Sequence, residues 1–470
     1  TWTISQAIYE NGGYKWACYL YGGPYYASSV QYGSAGFGTF YLELYKKTGN
    51  SMYLDYAKGA AQWIISQAVP DSGGYKWPHP DDDIPSPGWW LSPIVSGIGE
   101  FLLRMYQTTG NSTYLDYAIG TAQWLMAMAY WGEPGCFIPY NPPNPYGSQA
   151  AHGIGPGREA YTATFLLHMY EETGNSAYLP YVEGTAEWLI SGPDKVSEGG
   201  GYKWNHGRPY TSYYAIDGNG RIALFFYEIY QALGNATYLE HANGAMRWLL
   251  SQAVLDGGMA KWFDPIYGCY WTLPFSGGVG CEGFWGIPEP NELLMAVYEI
   301  SGNATYLDYA RKLANWITSP SIAKPEGGGY KFPRAEGDSF YSAYQNAKVY
   351  NFLSWMYDVT GETSYSEYAN GALKWIIYNA DEAEGGYKWR TITYFPYYAT
   401  WFDHGASGVG YYLISVAAPM PPKLFATIDI DPNSLNLRSK GEWITCYIEL
   451  LGGYEAADIN VSSILLNGTI

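Results

Sequence analysis

A short phrase, Gly-Gly-Tyr-Lys-Trp, recurs along the chain. It stands at residues 12–16, 73–77, 200–204 and 385–389, with variants GGYKF at 328–332, GGMAKW at 257–262 and GCFIPY at 135–140. That makes seven stations roughly sixty residues apart. An internal repeat of this kind decides the architecture before any other feature does. A second signature interleaves with the first. Gly49-Asn50, Gly110-Asn111, Gly174-Asn175, Gly234-Asn235, Gly302-Asn303 and Gly361-Glu362 each separate two apolar runs, and a Tyr stands four residues before each of these glycines. After each turn comes a phrase like Tyr-Leu-Asp-Tyr-Ala. Ten residues beyond its start stands a Trp: Trp63, Trp124, Trp188, Trp248, Trp316 and Trp375. Trp2 fits a seventh copy whose beginning is missing.

The stretch after each Gly-Asn follows the helical period, as Tyr53, Leu54, Ala57, Ala60, Ala61 and Ile64 show. Gly49 suits the left-handed position that ends a helix, Asn50 or Ser51 can cap the next one, and Asp55 favours its dipole. The stretch before each Gly-Asn is more apolar, as in Phe101, Leu102, Leu103, Met105 and Tyr106, and reads as a buried helix. Each unit is therefore an amphipathic outer helix, a Gly-rich loop and a buried inner helix. Such a unit buries its apolar face only by stacking on its neighbours. Seven inner helices, the last at residues 408–416, and six outer helices plus a stub at residues 2–8 predict a mainly α, closed α/α toroid over residues 1–418. An open superhelix is the alternative. The Trp and Tyr that recur in every repeat are expected to be core.

The residues Ala418–Pro422 (APMPP) break the helical pattern, and strands are expected at 426–430 and 443–450. Residues 419–470 are thus expected to form a partial β-sandwich-like module.

The formal charge is −18, which disfavours nucleic acid, because phosphate contacts need Lys and Arg patches. No apolar run of about eighteen residues occurs, so no membrane-spanning helix is expected. The five cysteines, Cys18, Cys136, Cys269, Cys281 and Cys446, form no CxxC pair, and no cofactor is called for. Fifty Tyr and twenty Trp suit a protein that handles sugars, although the repeat itself uses most of them. Five Asn-x-Ser/Thr sequons, at Asn111, Asn235, Asn303, Asn460 and Asn467, are candidate glycosylation sites. The first three fall at the same interhelix turn.

The phrases Ser96–Leu103 (SGIGEFLL) and His404–Leu413 (HGASGVGYYL) resemble the lanthionine synthetase C-like family. The resemblance covers roughly residues 1–418 and implies a toroid of seven inner and seven outer helices. It also implies a zinc ion held by a Cys from one inner-helix loop and a Cys-His pair from the next. Here the fifth loop reads Gly280-Cys281-Glu282-Gly283 and the sixth Tyr344-Gln345-Asn346. One Cys does not supply the three protein ligands of a catalytic zinc site. The tail phrase Ile428–Leu450 resembles modules of archaeal and bacterial cell-surface proteins, which implies an extracellular or surface location.

Function should sit where the repeats disagree. Thirteen residues before the helix-ending glycine stand Gly36, Gly97, Tyr161, Arg221, Glu289 and Lys348. Glu159, Asp217, Glu282, Glu289, Asp403 and His404 are the acid/base candidates at this rim. Arg158, Arg221 and Lys348 are candidates for holding an acidic sugar. Trp89, Trp90, Trp271, Trp285 and Trp401 lie outside the repeating Trp position and suit sugar stacking. A salt-bridge ring closing the toroid is the structural alternative for the charged residues. The expectation is an extracellular toroid that binds or processes glycans. A non-catalytic assembly protein that contacts other surface-protein copies and a zinc-dependent thioether cyclase are the alternatives. Whether the chain is an enzyme is left open.

Overall fold

Each repeat becomes an outer helix, a β-hairpin and an inner helix. The outer helices are α1 (Trp2–Ser5), α3 (Ser51–Ser66), α5 (Ser112–Ala127), α7 (Leu179–Ser191), α9 (Ala236–Ser251), α11 (Ala304–Ile317) and α13 (Thr363–Tyr378). The inner helices are α2 (Ser34–Thr48), α4 (Ser92–Thr109), α6 (Pro156–Thr173), α8 (Ile216–Leu233), α10 (Pro290–Ser301), α12 (Ala343–Thr360) and α14 (Ala406–Val416). The computed structural model describes residues 2–17, 26–30, 33–77, 92–138, 156–205, 216–264, 269–270, 277–278, 281–282, 290–392, 395–398, 405–416, 426–431 and 445–450. The chain divides into two units, Thr1–Ala418 and Pro419–Ile470.

The Gly-Gly-Tyr-Lys-Trp stations are more than turns. Each is the second half of an antiparallel hairpin: Val69–Asp71, for example, pairs with Gly74–Lys76, Val69 opposite Lys76. Ser72 (φ 49°) and Gly73 (φ 84°) are both left-handed, the geometry that matches the twist of two-residue hairpins. The next glycine serves close approach. A Cβ added at Gly74 would lie 2.1 Å from the carbonyl oxygen of Gly120 in the following outer helix. A Cβ added at Gly120 would lie 2.2 Å from the Tyr75 ring. Gly13 meets Gly59, Gly201 meets Gly244, and Gly329 meets Gly371 in the same manner.

A side-chain contact reinforces this backbone contact. The Trp63 indole donates to Glu10 (3.2 Å), which also pairs with Lys15 (2.6 Å). Trp124 donates to Asp71 (3.1 Å), paired with Lys76 (2.8 Å), and Glu198 and Glu326 repeat the arrangement with Lys203, Trp248, Lys331 and Trp375. The hairpin's own Trp closes the preceding helix. Trp77 donates to the Ile64 carbonyl (2.8 Å) and Trp262 to that of Leu249 (2.9 Å), each adding a second donor to a carbonyl that also accepts from the C-cap N–H of Gln67 or Gln252. The fifth repeat departs: Lys261 pairs with Glu336 (2.6 Å), and the buried Trp316 indole N–H has no partner among the described residues.

The ring closes. Consecutive inner helices pack in order, and α14 packs back on α2. An added Cβ would lie 2.2 Å from Phe101 at Gly38, 2.4 Å from Phe165 at Gly99 and 2.6 Å from Phe40 at Gly410. The seam therefore uses the same aromatic knob and glycine hole as the two joints beyond it. In the outer layer Gln6 donates to Glu384 across the seam (3.0 Å). The first unit is a closed α/α toroid rather than an open superhelix.

The Gly-Asn turns behave as expected, with two refinements. The Gly49 N–H (φ 67°) donates to Tyr45 O at 2.8 Å. Asn50, rather than Ser51, is the cap, accepting from Met52 N at 3.1 Å. Asp55 lies beyond the first turn and faces Lys58 at 3.9 Å. In the second unit, Ala426–Asp431 pairs antiparallel with Thr445–Leu450.

Because backbone atoms oppose Gly74, Gly74→Ala should destabilise the full chain by about 1–3 kcal/mol, as overpacking does. Gly49→Ala has open space around its Cβ and should lose only the left-handed preference, about 1 kcal/mol. Chemical denaturation followed by Trp fluorescence compares the two. A smaller loss for Gly74→Ala would remove the backbone contact as a cause of stability.

Candidate functional site

Every inner helix follows a hairpin along the chain and, up to α12, is left by a Gly-Asn or Gly-Glu turn. All inner-helix N-termini therefore face one mouth of the ring, and those turns face the other. Residues 13, 10, 6 and 3 before the helix-ending glycine share one helical face. On α4 these are Gly97, Glu100, Arg104 and Gln107; on α6, Tyr161, Thr164, His168 and Glu171; on α8, Arg221, Leu224, Glu228 and Gln231. Side chains from three different helices meet along this stripe. Glu100, Arg104, His168 and Glu228 keep 20%, 34%, 34% and 24% of their side-chain surface open although they stand on the inner layer, so they line the lumen. The expectation that inner helices are apolar on most sides holds for most of their surface, but this stripe is polar, and Glu159 on α6 and Asn346 on α12 are buried polar residues off it.

Two polar networks cross the lumen wall. In the first, Glu100 receives Arg104 Nε at 3.2 Å and meets His168 Nδ1 at 2.9 Å. One turn nearer the loop mouth, Arg221 Nη2 binds Glu228 (2.7 Å) and the Thr164 hydroxyl, and Thr164 also donates to Glu228 (2.9 Å). The Arg221 guanidinium lies over the Tyr161 ring at 5.7 Å. In the second network, Tyr412 donates to Glu292 at 2.7 Å, and the Lys348 ammonium stands 3.9 Å from the same oxygen and over the Tyr344 and Tyr412 rings. Asn351 donates to Ser415 at 2.6 Å, which joins α12 to α14.

These contacts shift the ionisation of the groups they join. Burial works against charge on Glu100, but His168 and Arg104 outweigh it and hold the carboxyl down to about 2. Burial likewise disfavours the His168 cation, yet Glu100, with Glu228 and Glu171, raises its pKa. Glu171 is raised by burial and by its neighbouring carboxylates, with His168 opposing. Burial pushes the Tyr161 phenol up.

The predicted site residues divide. Arg221 and Lys348 are each only 5% exposed, set in the wall and paired there rather than standing open at a rim. Tyr161 is half-buried beside Arg221. Glu159 is 2% exposed, its Oε1 has no hydrogen-bond partner among the described residues, and burial raises its pKa well above the usual carboxylate value, with Arg158 opposing. Two residues before Tyr161, it sits about 200° around the helix and does not share the lumen face. Arg158 is half-buried in the first turn of α6. Asp217 lies in the first turn of α8, and Cys281-Glu282 pairs with Gly277-Gly278; the side chains of Asp217, Cys281 and Glu282 lie outside the described residues. So do Glu289, Asp403, His404, Trp89, Trp90, Trp271, Trp285, Trp401, Asn460 and Asn467. Sequence reasoning missed Glu100, Arg104, His168, Glu228 and Glu292. Applying the same test of disagreement to positions 10 and 6 residues before the glycine would have found them.

Among the described residues no group of three His, Cys, Asp or Glu is placed to hold a metal ion, and no helix is long and apolar enough to cross a membrane.

No protein-family model matches the sequence, and no curated protein does. Among solved structures, the chain is similar to a sugar epimerase from a ruminal bacterium (13% identity, TM-score 0.49, 89% of this chain and 95% of that one). It is similar to cellobiose 2-epimerase from Bacillus thermoamylovorans (10% identity, TM-score 0.48, 88% and 94%). It is also similar to an α-1,6-mannanase from a Salegentibacter species (14% identity, TM-score 0.47, 72% and 89%). With TM-scores under 0.5, these likenesses carry no weight for function.

The Glu100–His168 contact makes stability depend on pH with a definite sign. His168 has a raised folded pKa, so its contribution is complete below about 6.5 and is lost as pH rises through the folded value. Glu100 has a lowered folded pKa, so its contribution is present above the usual 4.5 and is lost as pH falls toward about 2. The gap in melting temperature between the wild type and His168→Gln should be widest between about pH 4.5 and 6.5 and shrink above that window. A gap that grows toward pH 9 would show that the pair is not ionic.

Proposed function

We propose that the toroid is an exported, surface-located protein that binds or processes glycans in its lumen, with His168 as the proton-transfer group. One observation carries the reading. His168 Nδ1 is held by the Glu100 carboxylate at 2.9 Å, while Nε2 has no partner among the described residues and a third of the side chain is open. A carboxylate that fixes one ring nitrogen orients the other for proton transfer. Tyr161 and Glu228, both partly open, supply a hydroxyl and a carboxylate on the same stripe, suited to sugar hydroxyls. The resemblance of the tail to cell-surface modules supports export.

The lanthionine synthetase C-like resemblance enters this proposal as a likeness of scaffold. The residues expected in the sixth inner-helix loop stand instead in the first turn of α12, where Asn346 is fully buried; it accepts from Phe332 N (3.1 Å) and donates to Ser342 O (2.8 Å). Gln345 and Asn346 anchor the start of α12 and do not fit a zinc ligand pair, so no step is routed through a metal. A non-catalytic assembly role is the second reading. It is favoured by Arg221 and Lys348, whose charges are already met by Glu228 and Glu292 inside the wall.

Calorimetry and product chromatography with neutral and acidic polysaccharides test the proposal. At least one polymer should bind. His168→Gln should then lower turnover about 10²–10⁴-fold while leaving binding within a few-fold. Binding by the wild type without turnover keeps the binding role and ends the proton-transfer role of His168, and no binding to any polymer ends the glycan reading.

A further inference from the structure

Five of the described turns between inner and outer helices share one cap. Asn50, Asn111, Asn175, Asn235 and Asn303 each accept, through Oδ1, the backbone N–H two residues on, at 3.1, 3.1, 3.1, 3.0 and 3.0 Å. The residue providing that N–H is Met52, Thr113, Ala177, Thr237 or Thr305. Methionine and alanine complete the cap as well as threonine does, so the cap does not require a hydroxyl at this position. The Thr113, Thr237 and Thr305 side chains are nonetheless exposed, and their hydroxyls have no hydrogen-bond partner among the described residues. What the three threonines add is the Asn-x-Thr acceptor sequence.

We propose that Asn111, Asn235 and Asn303 are N-glycosylated; the proposal rests on the exported reading above. All three asparagines are exposed. The cap uses Oδ1 and leaves Nδ2 available, so the helix start and the modification are compatible on one side chain. In the transfer, Nδ2 bonds to the anomeric carbon of a lipid-pyrophosphate-linked oligosaccharide. The anomeric C–O bond breaks, the lipid pyrophosphate leaves with the electron pair, and one amide proton passes to a base of the transferase. The three sites lie at the mouth formed by the turns, opposite the loops that enter the inner helices. Glycans there lie away from the inner-helix N-termini.

Peptide mapping by mass spectrometry of the full chain, purified from external and internal fractions of the producing cells, tests the proposal. Peptides holding Asn111, Asn235 and Asn303 should carry one common glycan mass, whereas those holding Asn50 and Asn175, with the same cap but no hydroxyl residue two positions on, should be bare. Bare Asn111, Asn235 and Asn303 in externally located protein overturn the glycosylation and leave the export reading standing. Bare sites in protein found only inside the cell overturn both. Two variants that keep the cap complete the test. Thr113→Val should remove the glycan from Asn111 alone, and the triple variant Asn111→Asp, Asn235→Asp, Asn303→Asp, whose carboxylates cap equally well, should lose all three glycan masses. Retention of glycan at Asn111 in Thr113→Val, or of the three masses in the triple variant, overturns the assignment.

Discussion

The ring depends on a contact between two stretches of backbone with no side chain between them. At Gly74 and Gly120 a hairpin strand lies directly on the next outer helix, and a methyl group on either glycine would collide with backbone or with the Tyr75 ring. The tyrosine and the indole-carboxylate-lysine contact then fit only because the backbones are that close. Ion pairs exposed on a surface are individually worth little; here their role is to hold a register that the glycines make possible. Since each hairpin follows one outer helix and docks on the next, every repeat is tied to its neighbour. Repetition of that tie, with the Gly410–Phe40 joint at the seam, curves the layers into a ring.

A closed ring creates an interior that no single repeat contains. Charges placed there lose water and must find one another, since an uncompensated buried charge is costly. This accounts for the pairing of Arg221 with Glu228, of Lys348 with Glu292, and of His168 with Glu100. Within that enclosure the Glu100 carboxylate raises the His168 pKa, and His168 with Arg104 lowers that of Glu100, each against the effect of burial. On the proposed reading the structural and functional demands on these residues are joined: the groups that pair in the wall are also those proposed to move a proton.

Much of the fold was legible because the signals are local. A left-handed glycine, an asparagine cap and a helical period need only neighbouring residues, and they recur often enough to be counted. The hairpins were harder to read: their strands are three to six residues long, too short for alternation to declare itself, and they read only as turns. The site was half legible. Asking which aligned positions break the repeat led to Arg221, Lys348 and Tyr161, all in or beside the lumen wall. The question was put to one register only, so His168, Glu100 and Glu228, one and two turns deeper on the same face, were passed over. Glu159 was drawn in by its nearness in sequence to Tyr161, whereas two residues along a helix point to opposite sides.

The repeat, the number of units, the helix boundaries at each Gly-Asn turn and the residues that differ between units are all written in the chain, because they follow from short-range chemistry repeated at a fixed interval. The meeting of the hairpin and outer-helix glycines, the return of the last inner helix to the first and the charges that face one another across the lumen arise only from long-range packing. His168 and Glu100 are separated by 68 residues. No local rule relates them; they become partners because the stacking of adjacent repeats sets α4 beside α6 with the same register turned inward.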